Sequence, residues 1–419
     1  MRIHIVTIAI VASGLLSGCG GGGSGGDGSG GGSTPSAQIQ SGRFIDSPVQ
    51  GLSYRSGNQS GITDNTGAFT YEAGQDIVFS VGGVTLGTIA GAEVITPVEL
   101  LAASSSDLEV VNMVRFLSLL DVDGDSSNGI RISSEVQSIS VNWQQVDFSS
   151  TDLAAALTNI ISDITSVDNR TPILPGGVTA QANIEDTLSC LASGVFAGGF
   201  SGDDAGTYLL WIQSRRFDPK VFGDNIPRIG TTTGLVFSTV DNLVSGITPQ
   251  QGLSFNADAS FLSGRVSTDA VFTGNLINYR TIANGNWTNS VSNESGTFSG
   301  GRKAGDPNAL YRLSGFLDVA GAVVFSADGT ALVGLDVFGD NSVTGVMITL
   351  RGAETALTGT LDAGVITVTG SNITFILDFD PDGSDPANDA DLGDTAGFVG
   401  GWFSDVAVGG VIGTSCKLN

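Results

Sequence analysis

Three features predict an α+β fold dominated by β-structure. Apolar and polar residues alternate over many short runs. Turns rich in Gly, Asn and Asp separate those runs. Helical periodicity is confined to one stretch in the middle of the chain. The 419 residues include 61 glycines, yet hydrophobic side chains make up 41% and charged ones only 14%. Disordered chains combine low hydrophobicity with high charge, so the glycines read as tight turns between strands. The length allows two or three domains with cores of their own. The expected order is a signal peptide (1–18), a Gly/Ser tether (19–41), a small β-sandwich (42–96), a helical subdomain (97–193) and a long antiparallel β-meander (194–419). The meander should close as a barrel or a sandwich.

The first segment has a short positive start at Arg2, an apolar run from Ile3 to Leu16, and small residues at its end. Leu16-Ser17-Gly18-Cys19 resembles the lipobox of bacterial lipoproteins. The resemblance implies cleavage before Cys19, acylation of its thiol and anchorage in a membrane through the acyl chains. Each buried CH₂ contributes ~0.8 kcal/mol, so two or more chains hold a protein without a spanning helix. Gly20 in place of Asp after the cysteine implies export to the outer membrane. The alternative is an ordinary secretory signal with a chance cysteine. The following tether, dominated by Gly and Ser, is a flexible spacer with a reach of ~5–6 Å times the square root of its length.

Charge and residue usage exclude several functions. A net charge of −25 argues against nucleic acid, which needs clustered Lys and Arg. Lysine occurs only at Lys220, Lys303 and Lys417, too sparsely to form a patch for anionic lipid. The one histidine, His4, lies in the signal segment, so the mature chain lacks Ser-His-Asp and Cys-His catalysis and every His-based zinc site. The chain is therefore expected not to be an enzyme. A histidine-free hydrolase using paired carboxylates is the alternative, although Glu294 and Glu354, the only glutamates of the meander, fall in turns. Once Cys19 is acylated, Cys190 and Cys416 remain, an even number in an oxidising envelope. They are expected to form a disulfide that folds the meander back into one body; two unpaired thiols are the alternative.

Residues 42–96 begin with short strands at Arg43-Phe44-Ile45 and Gly51-Leu52-Ser53-Tyr54. Ser60 to Tyr71 reads as strand, turn, strand, with the turn at Asp64 to Gly67 and with Phe69 and Tyr71 on one face. Ile77 to Val81, Gly82-Gly83 and Val84 to Leu86 form a hairpin pattern. The series V-x-G-L-x-Y … T-D-x-x-G-x-F-x-Y resembles the carboxypeptidase-regulatory-like, prealbumin-like β-sandwich modules of bacterial surface proteins. That resemblance covers about fifty residues and implies a rigid stalk or binding spacer.

The helical stretch starts at Ser106-Asp107-Leu108-Glu109, which has the spacing of a capping box. The helix it opens is apolar to Leu120, apart from a narrow stripe of Glu109, Asn112, Arg115 and Ser118, so it should be mostly buried. A second helix follows Ser150-Thr151, with Leu153, Ala156, Leu157, Ile160, Ile161 and Ile164 on one stripe. A third is expected from about Ala180 to Leu191.

The meander reads as two copies, 196–303 and 312–417. Gly199-Phe200 matches Gly315-Phe316, Trp287 matches Trp402, and Gly296…Lys303 matches Gly410…Lys417. Between them Leu262-Ser263-Gly264 is set against Leu357-Thr358-Gly359 and Asn278 against Asn372, with Pro381 to Asp394 as an insertion in the second copy. One unrepeated meander of similar composition is the alternative. A transmembrane β-barrel is a further one, opposed by 7% aromatic residues, too few for interfacial girdles.

Two acidic segments carry the spacing of cation sites. Asp121, Asp123, Asp125 and Asn128 place oxygen donors at alternate positions around Gly124, as a hard cation requires. They resemble the front half of EF-hand, dockerin and thrombospondin-type calcium loops. Ser126 stands where an EF-hand has its invariant glycine, and Ile132 where it has the bidentate glutamate. Asp378 and Asp380 lead into the insertion and Asp382 and Asp385 begin it, and these crowded carboxylates repel one another unless a cation or water screens them. Ca²⁺ is the expected ion; solvated acidic loops are the alternative. The function expected is an outer-membrane lipoprotein that binds a protein or glycan ligand, stabilised by calcium, with Trp211, Trp287 and Trp402 as candidate exposed contacts. A calcium-dependent spacer without a ligand would instead bury all three.

Overall fold

The structure, a computed structural model, describes residues 38–125, 128–214, 232–248, 253–256, 259–266, 268–317, 331–382 and 396–418. The lipobox with Cys19, the tether up to residue 37 and Asp385 lie outside the described residues. Ile39 to Ser41, expected in the tether, are instead paired with Thr70 to Glu72, so the sandwich begins earlier than residue 42. The fold is α+β and β-dominated.

The N-terminal body contains β1 (Ile39–Phe44), β2 (Val49–Gln50), β3 (Ser53–Ser56) and β4 (Gln59–Ile62). It continues with β5 (Ala68–Glu72), β6 (Asp76–Val81), β7 (Val84–Ala90) and β8 (Val94–Ile95). They form two small sheets, ordered β5-β1-β8 and β4-β3-β6-β7. Phe44, Phe69 and Phe79 interlock between them, with ring centroids 4.9 and 5.1 Å apart. The turn at Asp64 forms, held by the Asp64 carboxylate accepting from Thr66 and Ala68 N–H. The strands it joins do not pair as a hairpin: β4 pairs with β3 and β5 with β1, so the turn carries the chain between sheets. The Gly82-Gly83 hairpin does pair, Val81 opposite Val84.

The helical layer consists of α1 (Pro97–Leu101), α2 (Leu108–Leu120), β9 (Ile130–Arg131), α3 (Ser134–Ser140), α4 (Leu153–Ala156), α5 (Thr158–Asp168) and α6 (Gly177–Ala192). The capping box expected at Ser106 is not formed. Asp107 is the N-cap of α2, which puts Glu109 at the second helical position, one residue short of closing a box. The box forms instead at Thr96 and Glu99, which open α1. Helix α2 is buried as its composition predicts, and its polar stripe meets carbonyls: Asn112 Nδ2 donates to Phe148 and Ser150, and Arg115 Nε to Pro175. The second expected helix is two, α4 and α5, broken at Leu157.

Beyond α6 the chain makes two up-and-down barrels. The first uses β10 (Gly194–Gly202), β11 (Gly206–Ile212), β12 (Thr232–Ser238), β13 (Leu243–Thr248), β14 (Leu253–Asn256), β15 (Ala259–Val266), β16 (Ala270–Ile277), β17 (Thr281–Asn289) and β18 (Glu294–Arg302). Pairing of β13 with β15 and of β10 with β18 closes the ring, and β14 hangs on β15 outside it. The second uses β19 (Tyr311–Leu317), β20 (Ala331–Val337), β21 (Ser342–Thr349), β22 (Glu354–Asp362), β23 (Val365–Gly370), β24 (Ile373–Asp380), β25 (Gly397–Ser404) and β26 (Val408–Lys417). Here β19 pairs with β26.

Both interiors are filled. Phe200, Phe272, Trp287 and Phe298 pack inside the first barrel, contiguous with Ile184 and Leu188 of α6. Leu335, Val368, Phe375 and Trp402 fill the second. Along β23 the apolar Ile366 and Val368 are buried while Val365, Thr367 and Thr369 face out. That apolar-in pattern is the reverse of a membrane barrel, whose apolar band faces lipid. Among the described residues no helix is long and apolar enough to cross a membrane. The barrels meet over Val195, Leu209, Trp211 and Phe237 of the first and Leu332, Ile348 and Leu350 of the second. Trp211 Nε1 donates to Ser314 Oγ at 2.9 Å across this junction.

Candidate functional site

A cleft of about 380 Å³ opens where the N-terminal body, α6 and the second barrel meet. Its rim takes Ser47 and Pro48 from the turn after β1, and Asn183, Asp186 and Thr187 from α6. Tyr311, Lys417 and Leu418 come from the second barrel and its exit. Cys190 and Cys416 also line it, their sulfurs adjacent and their Cα atoms 5.7 Å apart, within the span of a disulfide. Ser47 N–H donates to Thr187 Oγ1 at 3.4 Å, joining two of the walls.

The two acidic segments border this same cleft. Asn128 and Gly129 contribute from the first, Pro381 and Asp382 from the second. In the first loop Asp121 is buried at the exit of α2. Its Oδ1 accepts from Arg131 N–H at 2.9 Å, while its buried Oδ2 meets no donor. Burial, reinforced by the facing Asp123 carboxylate, pushes Asp121 above the usual range. Asp123 is held below it, first by the Asp125 N–H, then by the Asp121 carboxyl and by Asn128 Nδ2. An oxygen that is buried, donorless and beside a second carboxylate is what a cation would relieve, so Asp121 and Asp123 fit a hard ion. The second segment is arranged differently. Asp378 faces solvent, Asp380 is buried at the end of β24, and Asp382 is exposed. Among the described residues no group of three or more carboxylate, thiol or imidazole side chains gathers as a metal cage.

Trp211, Trp287 and Trp402 offer no exposed rings, being 5%, 4% and 8% accessible. Trp211 is sealed between the barrels, and the other two lie inside them. The reason is topological. A closed barrel buries one face of each strand, and the junction buries part of the other.

Asp46 carries no sequence signal. It sits between the cleft-lining Ile45 and Ser47 with Oδ2 buried and unpartnered, and burial raises its carboxyl to about 7. Tyr311 is raised by burial and by nearby Asp382.

No protein-family model matches the chain, and no curated protein matches it either. Among solved structures, that of an AttH candidate from Nitrosomonas europaea aligns over 52% of this chain and 91% of its own, at 10% identity and a TM-score of 0.18. A superposition of that quality carries no argument about fold or activity.

Proposed function

We propose that the chain is an outer-membrane-anchored lipoprotein whose ectodomain binds a ligand in the cleft between α6 and the second barrel, with calcium stabilising the rim. The carrying observation is the cleft itself. Its volume lies in the range of about 300–1,000 Å³ typical of ligand sites. Its rim carries Asp186 and Asp382, and the Asp121 loop lies beside it, so it suits a hydroxylated or cationic group on a glycan or protein. Calcium would be held at the Asp121–Asp123 pair. Binding is preferred to catalysis because the only histidine precedes Cys19. Localisation rests on the lipobox resemblance at Leu16 to Cys19.

A second reading, a calcium-dependent spacer without a ligand, is favoured by the burial of all three candidate tryptophans. The two separate experimentally. Cells carrying the full-length lipoprotein are applied to immobilised glycans and extracellular-matrix proteins, beside cells carrying Thr187→Trp, which fills the cleft. Retention of wild type together with loss in Thr187→Trp supports the cleft. Equal retention of both removes it as the site, and no retention of wild type favours the spacer.

A further inference from the structure

A second, smaller cavity of about 30 Å³ lies at the joint between the N-terminal body, the end of α6 and both barrels. Among the described residues, four arginines, Arg43, Arg280, Arg302 and Arg312, line it together with one carboxylate, Glu93. A chain of net charge −25 with 17 Lys and Arg in all thus places four of them around a space of molecular size. Glu93 is engaged by Arg280 at 3.4 Å.

Arg302 and Arg312 are buried deepest. Their Nη1 atoms cap the C-terminus of α6: Arg302 donates to Leu191 O at 2.6 Å, and Arg312 to Cys190 O and Leu191 O at 3.2 and 3.1 Å. The Nε of each is buried without an acceptor from the protein. Asp336, the countercharge behind them, commits Oδ2 to the Gly305 and Asp306 N–H groups. Burial lowers both arginines, Arg312 to about 10, and Arg312 and Arg280 lower Arg302 further, while Asp336 pulls both the other way. Two neighbouring guanidinium groups stripped of water, each with an unmet donor, demand negative charge.

We propose that this cavity binds a small monovalent anion of chloride size among the guanidinium groups of its four arginines, with Arg302 and Arg312 the most deeply buried. A water-sized site needs about 10–15 Å³, so the cavity admits an ion of one or two waters' volume and no larger metabolite. A water molecule could satisfy a donor but would add no charge beside Asp336 and Glu93, the two carboxylates that act on Arg302.

The experiment follows the melting temperature of the purified chain in sodium chloride and in sodium gluconate at matched ionic strength. Gluconate is too large to enter. Mass action should raise Tm by about 2 °C for each tenfold increase of chloride above its Kd, with no such rise in gluconate. Arg312→Met should lose the chloride-specific increment. Because that variant removes a helix cap and can fail to fold, crystals of the wild type soaked in bromide give a second measurement: an anomalous peak between Arg302 and Arg312. Equal melting curves in the two salts, an increment that survives in Arg312→Met, or water without bromide at that position each overturns the proposal.

Discussion

Asp46→Asn should stabilise the protein at alkaline pH and flatten its pH dependence. Asp46 is 3% exposed, follows β1 at the base of the cleft wall, and has its Oδ2 buried without a partner. Burial raises its carboxyl from 3.8 to about 7. A folded-state value above the unfolded one means that the folded chain binds this proton more tightly. The associated stability is fully present below about pH 4, declines as pH rises towards 7, and is then lost. At 1.36 kcal/mol per pH unit, the ionised carboxyl costs about 4 kcal/mol at pH 8 and about 2 kcal/mol at pH 5. Asparagine has no charge to bury. Urea unfolding of wild type and Asp46→Asn at both pH values gives a double difference from which other titrating groups cancel. The expected value is about 2–3 kcal/mol in favour of the variant at pH 8, read as a shift in midpoint with m unchanged. Parallel pH profiles for the two proteins would show that Asp46 does not titrate in this range.

Three further outcomes are expected. Cys19→Ser should move the protein from the membrane pellet to the soluble envelope fraction; full retention in the pellet refutes acylation. Millimolar Ca²⁺ should raise Tm relative to EDTA by mass action, and Asp121→Ala should abolish the rise while Asp378→Ala keeps it, because Asp121 presents a buried oxygen without a donor whereas Asp378 faces solvent. Indifference of wild type to calcium removes the ion altogether. Mass spectrometry of a non-reduced digest should recover Cys190 and Cys416 in one linked peptide, and Cys416→Ser should lower stability by up to about 5 kcal/mol for a loop of separation 226. Free thiols at both positions in envelope-purified protein count against the bond.

The sequence makes the architecture legible to the level of strands but not of faces. Trp287 and Trp402 occupy equivalent strands and face equivalent partners, Phe272 opposite Trp287 and Phe375 opposite Trp402. Gly199-Phe200 and Gly315-Phe316 also lie in the corresponding first strands, yet the match slips by one residue. Phe200 points into its barrel, whereas Phe316 packs at the junction and Leu317 points inward. A one-residue slip exchanges the two faces of a strand, and glycine-rich strands give the alignment little to hold. In the middle of the repeat the match fails by a whole strand. Leu262 is in β15 and Leu357 in β22, whereas the barrel order sets β15 against β23. The extra strand β14 in the first barrel supplies the unannounced length.

The site is less legible, because it is assembled from distant segments. Spacing marks the acidic loops but cannot say that Asn128 and Asp382 border one cleft. Arg302 and Arg312 look like ordinary polar residues near strand ends, Arg302 on the face of Phe298 and Arg312 on the face opposite to Leu313. They become a buried pair only because the end of α6 is laid over them. Asp46 is a turn residue by every local criterion, yet it is buried, and Ser47 beside it meets Thr187 of α6.

The cysteine pair has a mechanical consequence. Cys190 lies near the end of α6, just ahead of the first barrel, and Cys416 in the last strand of the second. With their bond closed, tension applied between residue 38 and the C-terminus passes through the N-terminal body and α6, crosses to Cys416, and leaves by the last residues. Both barrels hang on a side loop that bears no load. Pulling on the chain ends then tests only the small sandwich and the helical layer, and reduction is what puts the barrels under force.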